Sequence, residues 1–350
     1  MTFDASLLVR NNIRDMEAYS SARDEFSGEA SVYLDANENS FGSPLPSSFN
    51  RYPDPHQKEL KKKIEQIKGV PVQNIFLGNG SDEAIDLLFR VFCEPGKDNA
   101  IIFPPTYGMY EVAANTNDIY LRKIPLTSMF QIDLETLEAS IDAQTKLIFI
   151  CSPNNPTGNS IDRESVEMIL NNFNGLVIVD EAYINYSRKN SFIADLIEYP
   201  NLVVLQTFSK AWGLAALRLG MAFASEKIIG YLNKVKYPYN INLATQQLAM
   251  QALENVSTIN EWTRQTVEQR VWLEENLSAI TQTDIVYPSD ANFLLVKIKA
   301  AHLLWHFLVK KGIIVRDRSR VTLCEDCLRI TVGTPDENKQ LVEAIKLFHS

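Results

Sequence analysis

Leu176-Val-Ile-Val-Asp180 is a run of four aliphatic residues that ends on an acid, with no polar residue alternating through it. Lack of alternation marks a strand buried on both faces, as in a parallel sheet covered by helices. Ala100-Ile-Ile-Phe103, Lys146-Leu-Ile-Phe-Ile-Cys151 and Leu202-Val-Val-Leu-Gln-Thr-Phe208 have the same character, and Gly220-Met-Ala-Phe-Ala224 joins the set. Longer amphipathic stretches lie between such runs. After Asn74-Ile-Phe-Leu77, Gly78-Asn-Gly80 leads into a segment whose apolar positions Ala84, Ile85, Leu88, Phe89 and Phe92 keep helical period. Strand alternating with helix predicts an α/β fold, with a mostly parallel central sheet, right-handed crossovers and helices on both faces.

Toward the N-terminus, Val32-Tyr-Leu-Asp-Ala36 reads as a short strand and Asn37–Pro55 as a Pro/Ser-rich loop. Gln57–Gly69 reads as a basic helix stopped by Gly69 and Pro71. Toward the C-terminus, helices run to about Ser278. Then Ala291–Val296, a helix through Leu304–Lys310, Ile313–Arg316 and Leu328–Val332 suggest a smaller α+β domain. The expected organisation is an N-terminal arm with part of the small domain over 1–36, a large domain over 37–270 and a small C-terminal domain over 271–350.

Composition narrows the function. The chain has 350 residues, 45% hydrophobic and 22% charged, with a formal net charge of −9, so it has material for a real core. An acidic balance argues against nucleic-acid partners, since phosphate backbones require clustered Lys and Arg. Arg10, Arg14, Asp15 and Glu17 interrupt any signal-like apolar run, and no membrane span is expected. Four cysteines do not form a disulfide framework for this length, so the cytoplasm is the expected compartment. Cys324-Glu-Asp-Cys327 has redox or half-zinc spacing, but no second ligand pair follows it and it precedes a strand-like run instead of opening a helix. His302 and His306 share a helix face and lack the glutamate of a metalloprotease motif. No metal is expected.

In open α/β sheets, ligands sit beyond the carboxyl ends of the strands. Polar residues follow the apolar runs at Gly78–Asp82, Pro104–Tyr107, Ser152–Gly158, Asp180–Tyr183 and Thr207–Arg218. Taken singly, Lys210 reads as a surface lysine, Asp180 as a helix cap and Ser152–Gly158 as a turn. Together they bring an acid, an amine, a guanidinium, tyrosines and an asparagine to one sheet edge.

Ser152-Pro-Asn-Asn-Pro-Thr-Gly158, Val179-Asp-Glu-Ala-Tyr183 and Ser209-Lys-Ala-Trp-Gly-Leu-Ala-Ala-Leu-Arg-Leu-Gly220 resemble the fold-type I, class II pyridoxal-phosphate-dependent aminotransferases. Arg51-Tyr-Pro-Asp-Pro55, Gly80-Ser-Asp-Glu83, Pro104–Tyr110, Gly312–Asp317 and Leu328–Thr334 resemble the histidinol-phosphate aminotransferases within that family. The likeness runs from about Asn37 to Pro335. One departure is Ala216, where the family usually has glycine.

The resemblance implies pyridoxal 5'-phosphate as cofactor, held as a Schiff base by Lys210, which also moves the proton. It places Asp180 against the pyridine nitrogen, Tyr107 on the ring face, and Asn155 and Tyr183 at the phenolic oxygen. The phosphate falls to Gly80, Ser81 and Asp82 at a helix start, where free N–H groups and the helix dipole favour anions. Thr207, Ser209 and Arg218 complete that site. The side chains of Asp82 and Glu83 are expected to turn away or cap. Tyr52 is expected to reach the partner subunit's cofactor phosphate, so a homodimer with shared active sites is implied.

For substrates, Arg329 matches the arginine that takes a carboxylate through a bidentate fork. Arg316, with Tyr19 as a hydroxyl donor from the N-terminal arm, is the candidate for the phosphate arm of histidinol phosphate, and Asn37 is a further substrate-binding candidate. The implied reaction moves an amino group between histidinol phosphate and 2-oxoglutarate, giving imidazole acetol phosphate and glutamate, in histidine biosynthesis. Rivals are a threonine-phosphate decarboxylase-like lyase, an aromatic amino-acid aminotransferase and, more remotely, a non-catalytic amino-acid sensor. A dinucleotide-binding oxidoreductase is weaker, because Gly78-Asn-Gly80 lacks the third glycine of that fingerprint.

Overall fold

The computed structural model describes residues 3–26, 30–45 and 49–348. Seven strands form the large sheet: β1 (Ile75–Asn79), β2 (Asn99–Ile102), β3 (Tyr120–Lys123), β4 (Thr145–Cys151), β5 (Leu176–Asp180), β6 (Leu202–Thr207) and β7 (Leu219–Ala224). Their spatial order is β1-β7-β6-β5-β4-β2-β3. The pairs from β3 through β6 are parallel, as the apolar runs predict. β7 is antiparallel to both neighbours. The reason is the connection over 208–218, which holds only the short 3-10 turn Ala215–Leu217 and no crossover helix. That return loop carries Lys210 and Arg218.

Burial on both faces is visible residue by residue. Ile148, Ile150, Val177, Val179 and Val204 enter one core cluster, while their strand neighbours Leu147, Phe149, Ile178, Val203 and Leu205 enter another. Each strand therefore feeds two cores, and a polar residue in mid-strand would face one of them.

Four strands form a second sheet, all antiparallel, in the order β10-β11-β9-β8. They are β8 (Thr283–Val286), β9 (Phe293–Ile298), β10 (Arg316–Asp317) and β11 (Cys327–Thr331). This sheet has its own core, including Leu294, Val296, Leu304, Leu308, Leu328 and Ile345. The helix Val256–Ser278 runs across position 270, with Ile259 in a large-sheet core and Leu273 and Leu277 in the small-sheet core.

Several expectations are corrected. Val32–Ala36 forms no strand; Val32 and Leu34 are exposed, and no neighbouring strand among the described residues pairs with them. The strand expected over Ile313–Arg316 begins only at Arg316. β3 and β8 are polar edge strands that apolar runs do not reveal. Of the N-terminal arm, residues 1–2 and 27–29 lie outside the described residues. Its Ala5, Val9 and Ile13 are buried in the large-sheet core, and Arg10 N–H donates to the Val91 carbonyl at 3.0 Å.

Candidate active site

The carboxyl ends of β4, β5 and β6 and the start of helix Ser81–Phe92 open on a cavity of about 610 Å³. Asp180, the last residue of β5, lies at its base and is buried. The carboxylate accepts from the Tyr110 hydroxyl at 2.7 Å and from the Ala182 N–H at 3.1 Å. Burial pushes its pKa up to about 6 against the help of those donors. Among the described residues no cation forms a salt bridge with it. A buried carboxylate so placed suits a cationic ring nitrogen.

Lys210 follows β6 by three residues, and its ammonium stands 5.5 Å from the centre of the Tyr183 ring. Lys210 lines the cavity and is exposed as a residue. Even so, the surrounding walls remove enough water to lower its pKa, and the positive charge of Arg329 acts in the same direction. A less protonated amine is a better nucleophile and proton acceptor.

The anion-binding corner is built from backbone. Gly80 caps the helix with φ 71°, and its N–H donates to the Arg218 carbonyl at 2.7 Å. A Cβ on Gly220 would lie 2.1 Å from the Ser81 nitrogen, so β7 can lie against this helix start only as glycine. Arg218 itself takes a left-handed conformation (φ 52°) and lays its guanidinium across the corner, 3.5 Å from the Ser209 hydroxyl. The Thr207 hydroxyl accepts from the Ser209 N–H at 3.1 Å. Ala216 is exposed in the 3-10 turn, where the extra methyl group has room.

The side chain of Asp82 does not turn away as expected. It pairs with Arg218 at 3.3 Å and accepts from the Tyr107 hydroxyl at 3.0 Å, because the helix start aims it into the cavity beside the guanidinium. Glu83 folds back on the strand before the helix, accepting from the Asn79 N–H at 2.5 Å. Asn155, in the turn after β4, has its amide nitrogen 3.4 Å from the Tyr183 hydroxyl and accepts from Arg329. Burial raises the phenol pKa of both Tyr107 and Tyr183.

Arg316 and Arg329 line the opposite wall, contributed by the small sheet. The cavity therefore gathers Gly80, Ser81, Asp82, Tyr107, Asn155 and Asp180 with Tyr183, Thr207, Ser209, Lys210 and Arg218. Tyr19, Asn37 and Tyr52 lie outside it within one chain. Tyr19 is exposed, while Asn37 and Tyr52 line a separate cleft where Tyr52 stacks on Tyr239 at 4.4 Å. Two residues went unread in the sequence: Tyr110, in the first turn of the helix Met109–Thr116, and Arg318, two residues after Arg316. For Arg318 the signal was two-residue spacing along an extended chain; Tyr110 had none, because Tyr107 precedes the helix.

Cys324 and Cys327 are buried, and burial lifts both thiols to about 12, far from the reactive thiolate range. His302 contacts Asp317 at 2.7 Å and His306 at 3.2 Å.

The model of the family described as aminotransferase class I and II matches residues 34–345. The chain belongs to that aminotransferase family. A relative from Cytophaga hutchinsonii, named histidinol-phosphate aminotransferase, is 51% identical over 99% of this chain and 100% of its own length. One from Bacteroides thetaiotaomicron with the same name is 55% identical, over 97% of this chain and 98% of its own. A crystal structure of histidinol-phosphate aminotransferase from Sinorhizobium meliloti in complex with pyridoxal-5'-phosphate shares the fold, with a TM-score of 0.78. It is 23% identical, covering 89% of this aminotransferase chain and 88% of that one.

Proposed function

We propose that the chain transfers an amino group between histidinol phosphate and 2-oxoglutarate, with pyridoxal 5'-phosphate as cofactor. The observation that carries this reading is full-length identity of about half to relatives bearing that name, on a chain whose cavity joins Lys210, Asp180 and Arg218 to Arg316 and Arg329.

The residues fit that cofactor. Arg218, the Gly80–Ser81 backbone and the Ser209 hydroxyl suit its phosphate, Asp180 its ring nitrogen and Tyr183 its phenolic oxygen. When bound, pyridoxal phosphate supplies an aldehyde for an amine and a ring that withdraws electrons from the carbon losing its proton. Asp180 holds a negative charge that keeps the ring nitrogen protonated. Lys210 supplies the amine and then accepts and returns the proton. Arg329 holds a substrate carboxylate by its guanidinium fork, and its contact with Asn155 fixes the fork's direction. Asp82 must give up Arg218 when a phosphate occupies the corner, since two anions cannot share that fork without repulsion.

The same reading makes the enzyme a cytoplasmic homodimer. Four free, buried cysteines suit a reducing compartment. No helix is long and apolar enough to cross a membrane among the described residues. Val32, Leu34, Phe41 and Tyr52 are exposed apolar or aromatic side chains that a second copy would cover, and Tyr52 would serve the partner's site.

The test is an absorption spectrum of purified protein, followed by addition of histidinol phosphate and then 2-oxoglutarate. The visible band of the bound cofactor should bleach with the first and return with the second. Carbon dioxide release, or no response to histidinol phosphate, would sink the reading. Borohydride reduction should fix the cofactor to the peptide that carries Lys210.

A further inference from the structure

The small sheet turns three guanidiniums toward one cavity. Arg316 on β10 and Arg329 on β11 are directly paired across the ladder. Arg318 lies two residues beyond Arg316, and its N–H continues the ladder to the Cys327 carbonyl at 2.9 Å. Residues two apart on an extended chain share a face, and all three arginines line the cavity.

The nearest acid in sequence, Asp317, faces the other way. It accepts from the Ser319 N–H at 2.8 Å and lies 2.7 Å from Nδ1 of His302, on the far side of the strand. Among the described residues no carboxylate forms a salt bridge with Arg316, Arg318 or Arg329. The Nε atoms of Arg318 and Arg329 are buried without a hydrogen-bond partner. Desolvation lowers the pKa of the Arg318 guanidinium and Arg316 adds repulsion to it, while burial does the same at Arg329. Like charges opposed across a ladder destabilise a sheet. The arrangement therefore disfavours the free protein and favours a ligand with concentrated negative charge.

A carboxylate carries one charge and is satisfied by one fork, here that of Arg329. A phosphate monoester carries about −1.5 to −2 and has three acceptor oxygens. We propose that Arg318 is a third donor to the phosphate arm of the amino donor, and that it sets the preference for a phosphate monoester over carboxylate or neutral arms. This rests on the histidinol-phosphate reading above.

The experiment compares the two half-reactions on the holoenzyme, wild type against Arg318→Gln. For histidinol phosphate, kcat/KM should fall about 10- to 100-fold, mostly through KM, the usual scale for a lost charge-assisted hydrogen bond. The glutamate half-reaction should fall far less, by at most about 3-fold on the same scale. Competitive inhibition by inorganic phosphate should weaken in parallel with the first loss. Arg318→Lys should recover part of it, since the charge returns without the fork. The unfolding midpoint of Arg318→Gln should equal or exceed that of wild type, because a repulsive charge has gone. Equal losses in both half-reactions, or no loss in either, would overturn the proposal while leaving the enzyme's function standing. A wild-type protein that uses glutamate but not histidinol phosphate would remove the underlying reading as well.

Discussion

The Tyr110 hydroxyl donates to the Asp180 carboxylate at 2.7 Å, wholly buried between the sheet and the helix Met109–Thr116. Stacking of the Tyr110 ring on Phe149, with centroids 4.9 Å apart, fixes that hydroxyl from behind. The bond opposes the effect of burial on Asp180 and keeps its charge available at lower pH.

Tyr110→Phe should keep the ring packing and remove only that donor. The carboxyl pKa then rises further, so the acid limb of kcat against pH should move to higher pH. Turnover at neutral pH should fall by about 10-fold or more, the scale of one buried hydrogen bond to a charged group. A pH–rate profile checks both, and an unmoved acid limb would separate Tyr110 from the charge on Asp180.

Asp180 also sets a pH dependence in the cofactor-free protein. Its folded pKa of about 6 lies above the ordinary value of 3.8. A carboxyl raised by folding contributes stability that is present below the unfolded pKa and is lost as pH rises through the folded one. The free protein should therefore lose roughly 3 kcal/mol between about pH 4 and pH 6 from this group. In Asp180→Asn that loss should vanish: the variant should match wild type near pH 4 and exceed it near pH 7 in denaturant midpoint. Turnover of the reconstituted variant should nonetheless collapse, with only modest loss of cofactor.

How far the sequence carries follows from what makes each element. β4, β5 and β6 are legible because double-sided burial leaves no room for polar residues, and Asp180 and Lys210 follow from their ends. β3 escapes because Tyr120-Leu-Arg-Lys123 is an edge, partnered only by β2. The direction of β7 is not in its residues but in the short loop before it. Asp82 illustrates a different limit: its type suggests a cap, whereas tertiary placement beside Arg218 and Tyr107 decides what it touches. Arg318 was within reach of strand periodicity and Tyr110 was not, and only a third dimension shows what lies across from either.

Gly80→Ala tests the anion corner. Gly80 has φ 71°, which side-chain-bearing residues rarely adopt, and an added Cβ would lie 2.9 Å from an Arg218 guanidinium nitrogen. The strain is on the order of 1–3 kcal/mol, and the guanidinium must move off the phosphate position. Cofactor dissociation should rise by about 10-fold or more, and the unfolding midpoint should fall. Equilibrium titration of cofactor-free protein by fluorescence measures the first and calorimetry the second; unchanged affinity would mean that Arg218 holds the phosphate from another direction.

The last prediction concerns Tyr52, which lies outside the cavity of its own chain. Glu38 fixes its loop, accepting from the Tyr52 N–H at 2.6 Å and from Arg51 at 2.6 Å while pairing with Arg23 at 3.0 Å. The ring stacks on Tyr239 and is half exposed. If Tyr52 serves the neighbouring subunit, chains carrying Lys210→Ala and chains carrying Tyr52→Ala should complement each other. A mixed dimer then has one site with both residues intact, so random assortment should restore about a quarter of wild-type activity. If Tyr52 only anchors its own loop, every site that keeps Lys210 lacks its own tyrosine. Co-expression would then give no more than the weighted activity of the two parents, a result that tandem affinity tags and a single rate measurement distinguish.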